Sequence, residues 1–254
     1  MKKLIPLALI LVLIFLAYLL PTPEEEYSPL NPSSIVGYAY LTSNEQLTIE
    51  VVWCLNDSEK VLIKFEDVKK ELIPGDAELE VGEMYGELKL EPKGDLEGIL
   101  LAIPENSKRT AQSKVNVKVE FGESYPLEIT ENATTSTALF VNGSYIIPYK
   151  VEIINPTNET IELKDVFFPV KGVKILSFGF YNGSIFEVPS EVTELPKTLP
   201  PNSKRTLVIY IEIGEEIDGL VFKPKVIIEA KGEKFPLSVP EMAFVRAICR
   251  KEKD

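Results

Sequence analysis

The sequence predicts an all-β chain, with two tandem β-sandwiches following an N-terminal transmembrane helix. Three observations predict it. Residues 4–20 form an uncharged apolar run, the rest alternates apolar and polar residues in short stretches cut by Gly and Pro, and short motifs recur about 100 residues apart.

The N-terminal element reads Met1-Lys2-Lys3 followed by Leu4–Leu20 without a charge. As a helix that run rises about 25 Å, slightly short of a hydrocarbon core of about 30 Å. The two lysines favour the cytoplasmic side and send the remainder outward. A cleaved signal peptide is the rival reading, but bulky Tyr18, Leu19 and Leu20 stand where a cleavage site needs small residues. Residues 1–20 are therefore read as an uncleaved anchor in the cell membrane. Residues 21–33, rich in Pro and Glu, cannot bury a core and read as an extended stalk or a disordered linker.

The duplication comes next. Pro104–Thr110 and Pro200–Thr206 differ at one position, and Gly122–Leu127 resembles Gly232–Leu237. A strand ending at Asn56, then Asp67-Val68, likewise matches one ending at Asn155, then Asp165-Val166. The offsets are 96 to 99 residues for the first and last of these and 110 for Gly122–Gly232, so the second copy carries about 14 extra residues around Ile213–Gly219. The implied division is 34–129 for the first sandwich, 130–239 for the second, and 240–254 for an apolar tail that suits a strand or a helical face and would dock on a domain or a partner.

Within each copy the elements read as strands. Leu47, Ile49, Val51, Trp53 and Leu55 alternate with Thr48, Glu50, Val52 and Cys54, the period of a half-buried strand. Asn142-Gly143 and Asn182-Gly183 each separate two apolar runs and predict type I′ hairpin turns. Strands at roughly 8–12-residue spacing point to immunoglobulin-like sandwiches.

The run Tyr149–Asn158, then Ile161-Glu162-Leu163 and Leu199–Ser203, resembles a recurring sandwich pattern. It is similar to the water-stress domain of late-embryogenesis-abundant proteins and to adhesion-type immunoglobulin-like modules of archaeal surface proteins. The resemblance covers about half of the second copy and implies protective or binding roles, with no catalytic residue to transfer.

Composition narrows the chemistry. The chain has 27 basic and 39 acidic residues, a net −12, which disfavours nucleic acid as a partner. It has no histidine, so the usual general base and commonest metal ligand are missing. No Ser-x-x-Lys pair or phosphate-binding loop is present. No catalytic, cofactor or metal-binding residue is assigned. The densest carboxylate group is Glu215, Glu216 and Asp218, read as solvated loop charge against calcium binding or a carboxylate-based glycan hydrolase.

Five sequons begin at Asn56, Asn132, Asn142, Asn158 and Asn182; they are candidates for glycosylation in an exported chain, or simply turn residues. Cys54 and Cys249, the only cysteines, form either a bridge that returns the tail to the first sandwich or two separate thiols. The function expected is that of a non-enzymatic, extracytoplasmic interaction or structural protein, engaging an envelope protein or a second copy of itself. The alternatives are an accessory subunit of a larger membrane complex and the hydrolase.

Overall fold

The computed structural model describes residues 30–54, 60–72, 83–105, 110–129, 134–135 and 138–246. The predicted anchor Leu4–Leu20, most of the stalk, the sequons at Asn56 and Asn132, and Cys249 lie outside these residues. Among the described residues no helix is long and apolar enough to cross a membrane.

The first half contributes β1 (Leu30–Asn31), β2 (Ser34–Leu41), β3 (Leu47–Cys54), β4 (Val61–Phe65), β5 (Val68–Leu72), β6 (Glu83–Leu90), β7 (Leu96–Pro104) and β8 (Ala111–Phe121). Sheet β1-β3-β6 faces β2-β8-β7-β4-β5 across a core that includes Ile49, Val51, Ile63, Phe65, Leu88 and Leu100. In β8, Ala111, Ser113, Val115 and Val117 are buried while Gln112, Lys114, Asn116 and Lys118 are exposed, as period two requires of a sheet with one wet face.

The second half contributes β9 (Glu128–Ile129), β10 (Thr134–Thr135), β11 (Leu139–Val141), β12 (Ser144–Asn155), β13 (Ile161–Phe167), β14 (Val173–Tyr181), β15 (Thr198–Leu199), β16 (Ser203–Gly214), β17 (Gly219–Lys223), β18 (Lys225–Ala230), β19 (Glu233–Ser238) and β20 (Met242–Val245). β9, β10 and β11 edge β12 in turn, followed by β16 and β14; opposite lies β15-β13-β18-β19. With β12 as strand B, this is A-B-E-D against C-F-G, the constant-type immunoglobulin order. The first sandwich gives A-B-E against G-F-C in the same way, with β3 as B and β8 as G.

β17 and β20 leave the second sandwich. β17 pairs in parallel with β2, Gly219 opposite Ile35 through Lys223 opposite Ala39, and β20 pairs antiparallel with β17. The result is a seven-stranded sheet drawn from both halves. Its β2-β17-β20 layer is apolar on both faces: Ile35, Ala39, Leu41 and Val221 enter the first core, while Tyr38, Tyr40, Leu220, Phe222 and Met242 enter the second. The sandwiches thus share one wall. β17 and the turn before it stand where about 14 extra residues were expected, a count that came from motifs at non-equivalent strands.

Four sequence expectations change. The boundary at residue 129 follows the covalent order, but β17 and the tail strand β20 extend the first sandwich's sheet across it. Leu30, assigned to the stalk, is 1% exposed and belongs to the first core. Asn182-Gly183 makes no hairpin: a 3-10 turn, Ile185–Glu187, follows it, capped by Ser184. The repeated motifs are also not all equivalent. Pro104 leads to strand G (β8), Pro200 to strand E (β16), and Gly232 turns between F and G at positive φ whereas Gly122 follows G. β3 and β12 both serve as strand B, but Asp67-Val68 stands at the turn into β5 while Asp165-Val166 lies inside β13, and Asn56 is outside the described residues. The Gly122 and Gly232 copies instead lie side by side, with the Tyr125 amide donating to the Pro236 carbonyl at 2.8 Å.

Candidate functional site

Strand registers define two ends of the molecule. At one, Ser33 Oγ donates to Asp218 Oδ2 (2.6 Å) and the Arg246 amide donates to the Asp218 carbonyl (2.7 Å). The chain therefore enters and leaves the described structure at this near end. At the far end the second sandwich gathers its B–C turn (156–160), the segment 182–187, the turn 200–203 and the F–G turn Lys231-Gly232.

Asn155 holds the far end together. It is fully buried, and its Nδ2 donates to the carbonyls of Glu159 (2.7 Å) and Pro200 (3.0 Å), while its Oδ1 accepts from the Thr157 amide (3.1 Å) and hydroxyl (2.7 Å). This explains the strand-ending Asn-Pro of the sequence: one satisfied amide fastens two turns. Asn202 Nδ2 donates to Asn158 Oδ1 (3.1 Å), and Lys231 pairs with Glu159 at 2.7 Å, joining the F–G and B–C turns. That carboxylate raises the Lys231 pKa.

Beside these turns the 3-10 segment is locked by a capping box. The Phe186 amide donates to Ser184 Oγ (3.3 Å) and the Ser184 amide to Glu187 Oε2 (3.0 Å). Ile185 and Val188 are buried, and Phe186 between them is 84% exposed. A fixed backbone carrying a bare aromatic ring suits a contact anchor. Sequence reasoning missed it, although Ser184-Ile185-Phe186-Glu187 is the S-x-x-E signature of such a cap.

The sequence-predicted residues are dispersed. Asn158 and Asn182 are exposed at the far end and Asn142 is exposed near the other. Cys54 is disulfide-bonded, and its Sγ accepts from Asn31 Nδ2 at 3.2 Å. The three loop carboxylates do not converge: Asp218 takes the Ser33 hydroxyl, Glu216 packs against Gly172 and Gly214, and Glu215 offers its carbonyl to Arg246. Among the described residues no group of acidic, Cys or His side chains is arranged to hold a metal ion.

A buried charge pair lies in the shared wall. Lys223 is 4% exposed, donates to the Val239 carbonyl at 2.6 Å and pairs with Glu45 at 3.4 Å. Burial lowers its pKa, with Glu45 and Glu241 pulling the other way. Burial would raise Glu45, but the Thr42 amide, the Lys223 charge and the Ser238 hydroxyl outweigh it and hold that carboxyl low. A charge pair placed this way ties the layers rather than serving solvent chemistry.

No protein-family model and no curated protein matches this sequence. Among solved structures, a protein described as membrane anchored from Corynebacterium diphtheriae is 12% identical, covering 90% of this chain and 61% of its own, with a TM-score of 0.29. A β-glucuronidase from Parabacteroides merdae is 8% identical over 80% of this chain and 23% of its own, with a TM-score of 0.24. A chimeric titin Z1Z2 tandem is 11% identical over 80% and 95%, with a TM-score of 0.22. The chain spans less than two thirds of the first two. The strand order, not these likenesses, carries the immunoglobulin-like assignment.

Proposed function

We propose that this chain is a membrane-tethered, extracytoplasmic interaction module, whose two fused immunoglobulin-like sandwiches present the far-end turns of the second to an envelope protein or a second copy. The single observation supporting this is polarity: residues leading from the apolar segment 4–20 sit at one end, and the exposed, capped Phe186 sits at the other. The dispersal of Glu215, Glu216 and Asp218 favours this reading over a hydrolase. The water-stress and archaeal adhesion resemblances imply roles of the same protective or binding kind. Exposed Asn158 and Asn182 would carry any glycan around the contact ring rather than beneath it.

A photo-crosslinking residue at position 186 of the full chain, activated in native membranes, tests the proposal. One discrete protein adduct is expected; a competing copy without the crosslinker should suppress it when that copy keeps Phe186 and leave it in place when that copy carries Phe186→Asp. Adducts to lipid alone, or none, would overturn the reading.

A further inference from the structure

A second apolar patch lies at the near end, away from Phe186. The β11–β12 hairpin turns through Asn142 and Gly143, both at positive φ (51° and 84°), and raises Phe140 (59% exposed) and Val141 (44% exposed) at its tip. The patch is continuous with an aromatic row. Phe140 and Tyr145 have ring centroids 4.9 Å apart, Tyr145 and Phe244 are 5.4 Å apart, and the Arg246 guanidinium lies 5.4 Å from the Tyr145 ring centre. These residues surround the point where Ser33, Asp218 and Arg246 meet.

We propose that this hairpin tip contacts the lipid interface of the membrane that tethers the chain, with Phe140 and Val141 entering the headgroup region and Tyr145 and Phe244 behind them. The inference rests on the membrane-tethered reading. Tether length favours this occupant: the chain from Leu20 to Leu30 can span at most about 36 Å even when extended, so the near end stays close to the bilayer surface. The chemistry also agrees, because aromatic rings with a polar edge or a flanking cation settle at membrane–water interfaces. Glu215, Glu216 and Asp218 share this end and oppose an anionic surface, so the fitting partner is a zwitterionic headgroup layer.

The test uses the full chain with Phe140→Trp in phosphatidylcholine nanodiscs carrying brominated acyl chains. Native Trp53 is 7% exposed and supplies the background. The added Trp should lose at least half of its emission to the bromolipid, beyond the parent's loss; Val141→Trp serves as a second placement if the first variant misfolds. A chain retained in the disc with no added quenching at either position overturns the contact and leaves the tether intact. A chain not retained overturns both. A glycan found on Asn142 of protein from its source membrane overturns the contact as well, since it would hold the tip out of the interface.

Discussion

Lys223 lies inside a wall that is otherwise apolar, and its neighbours decide what pH does to the fold. Glu45 has a folded pKa below its ordinary 4.5, so its stabilisation is fully present above that value and is lost as pH falls through the lowered one. Thermal unfolding followed from pH 6 to pH 3 should show the parent losing more of its melting temperature below pH 4.5 than Glu45→Gln does. Parallel curves would remove Glu45 from the acid response. Single residues also show where sequence was readable. Asn142-Gly143 gave the predicted turn because both positions adopt positive φ. The same dipeptide at 182–183 did not, because the Ser184 hydroxyl and Glu187 carboxylate satisfy the following amides and favour a 3-10 turn. Polar side chains three residues apart overrode the dipeptide preference.

At the level of elements, β17 is the strand on which both cores depend. Phe222 is fully buried, stacks edgewise on Tyr149 at 5.4 Å and packs on Phe168 at 4.5 Å, while its neighbour Val221 serves the other core. Phe222→Ala should cost about 3–5 kcal/mol in chemical denaturation, and Phe222→Leu distinctly less. Equal small losses would mean that the wall repacks around the gap. In sequence, Ile213–Gly219 counts only as extra residues and no strand is named at Gly219–Lys223, so neither this strand nor its partner is foreseen. Alternation reports which residues are buried, not which distant strand buries them, and Gly219 pairs with Ile35 of the other half. The Pro-x-Asn-Ser-Lys-Arg-Thr repeat misled for a related reason: a polar turn of that composition suits the entry to any long strand, here G in one sandwich and E in the other.

For the whole molecule, a shared wall means one cooperative unit rather than two beads on a string. Calorimetry of the chain should give one transition whose calorimetric and van't Hoff enthalpies agree. Two resolved peaks would show that the sandwiches unfold separately and that the wall contributes little. The same wall constrains the order in which the molecule can be made. Ser33 and Asp218 are 185 residues apart, and Tyr38 and Tyr40 have nothing to cover them until the second sandwich, β17 and β20 have followed. During synthesis the early half must therefore wait with an aromatic surface uncovered, folding slowly because its closing contacts are so remote along the chain. A holding chaperone would have that surface to grip until the last strand arrives.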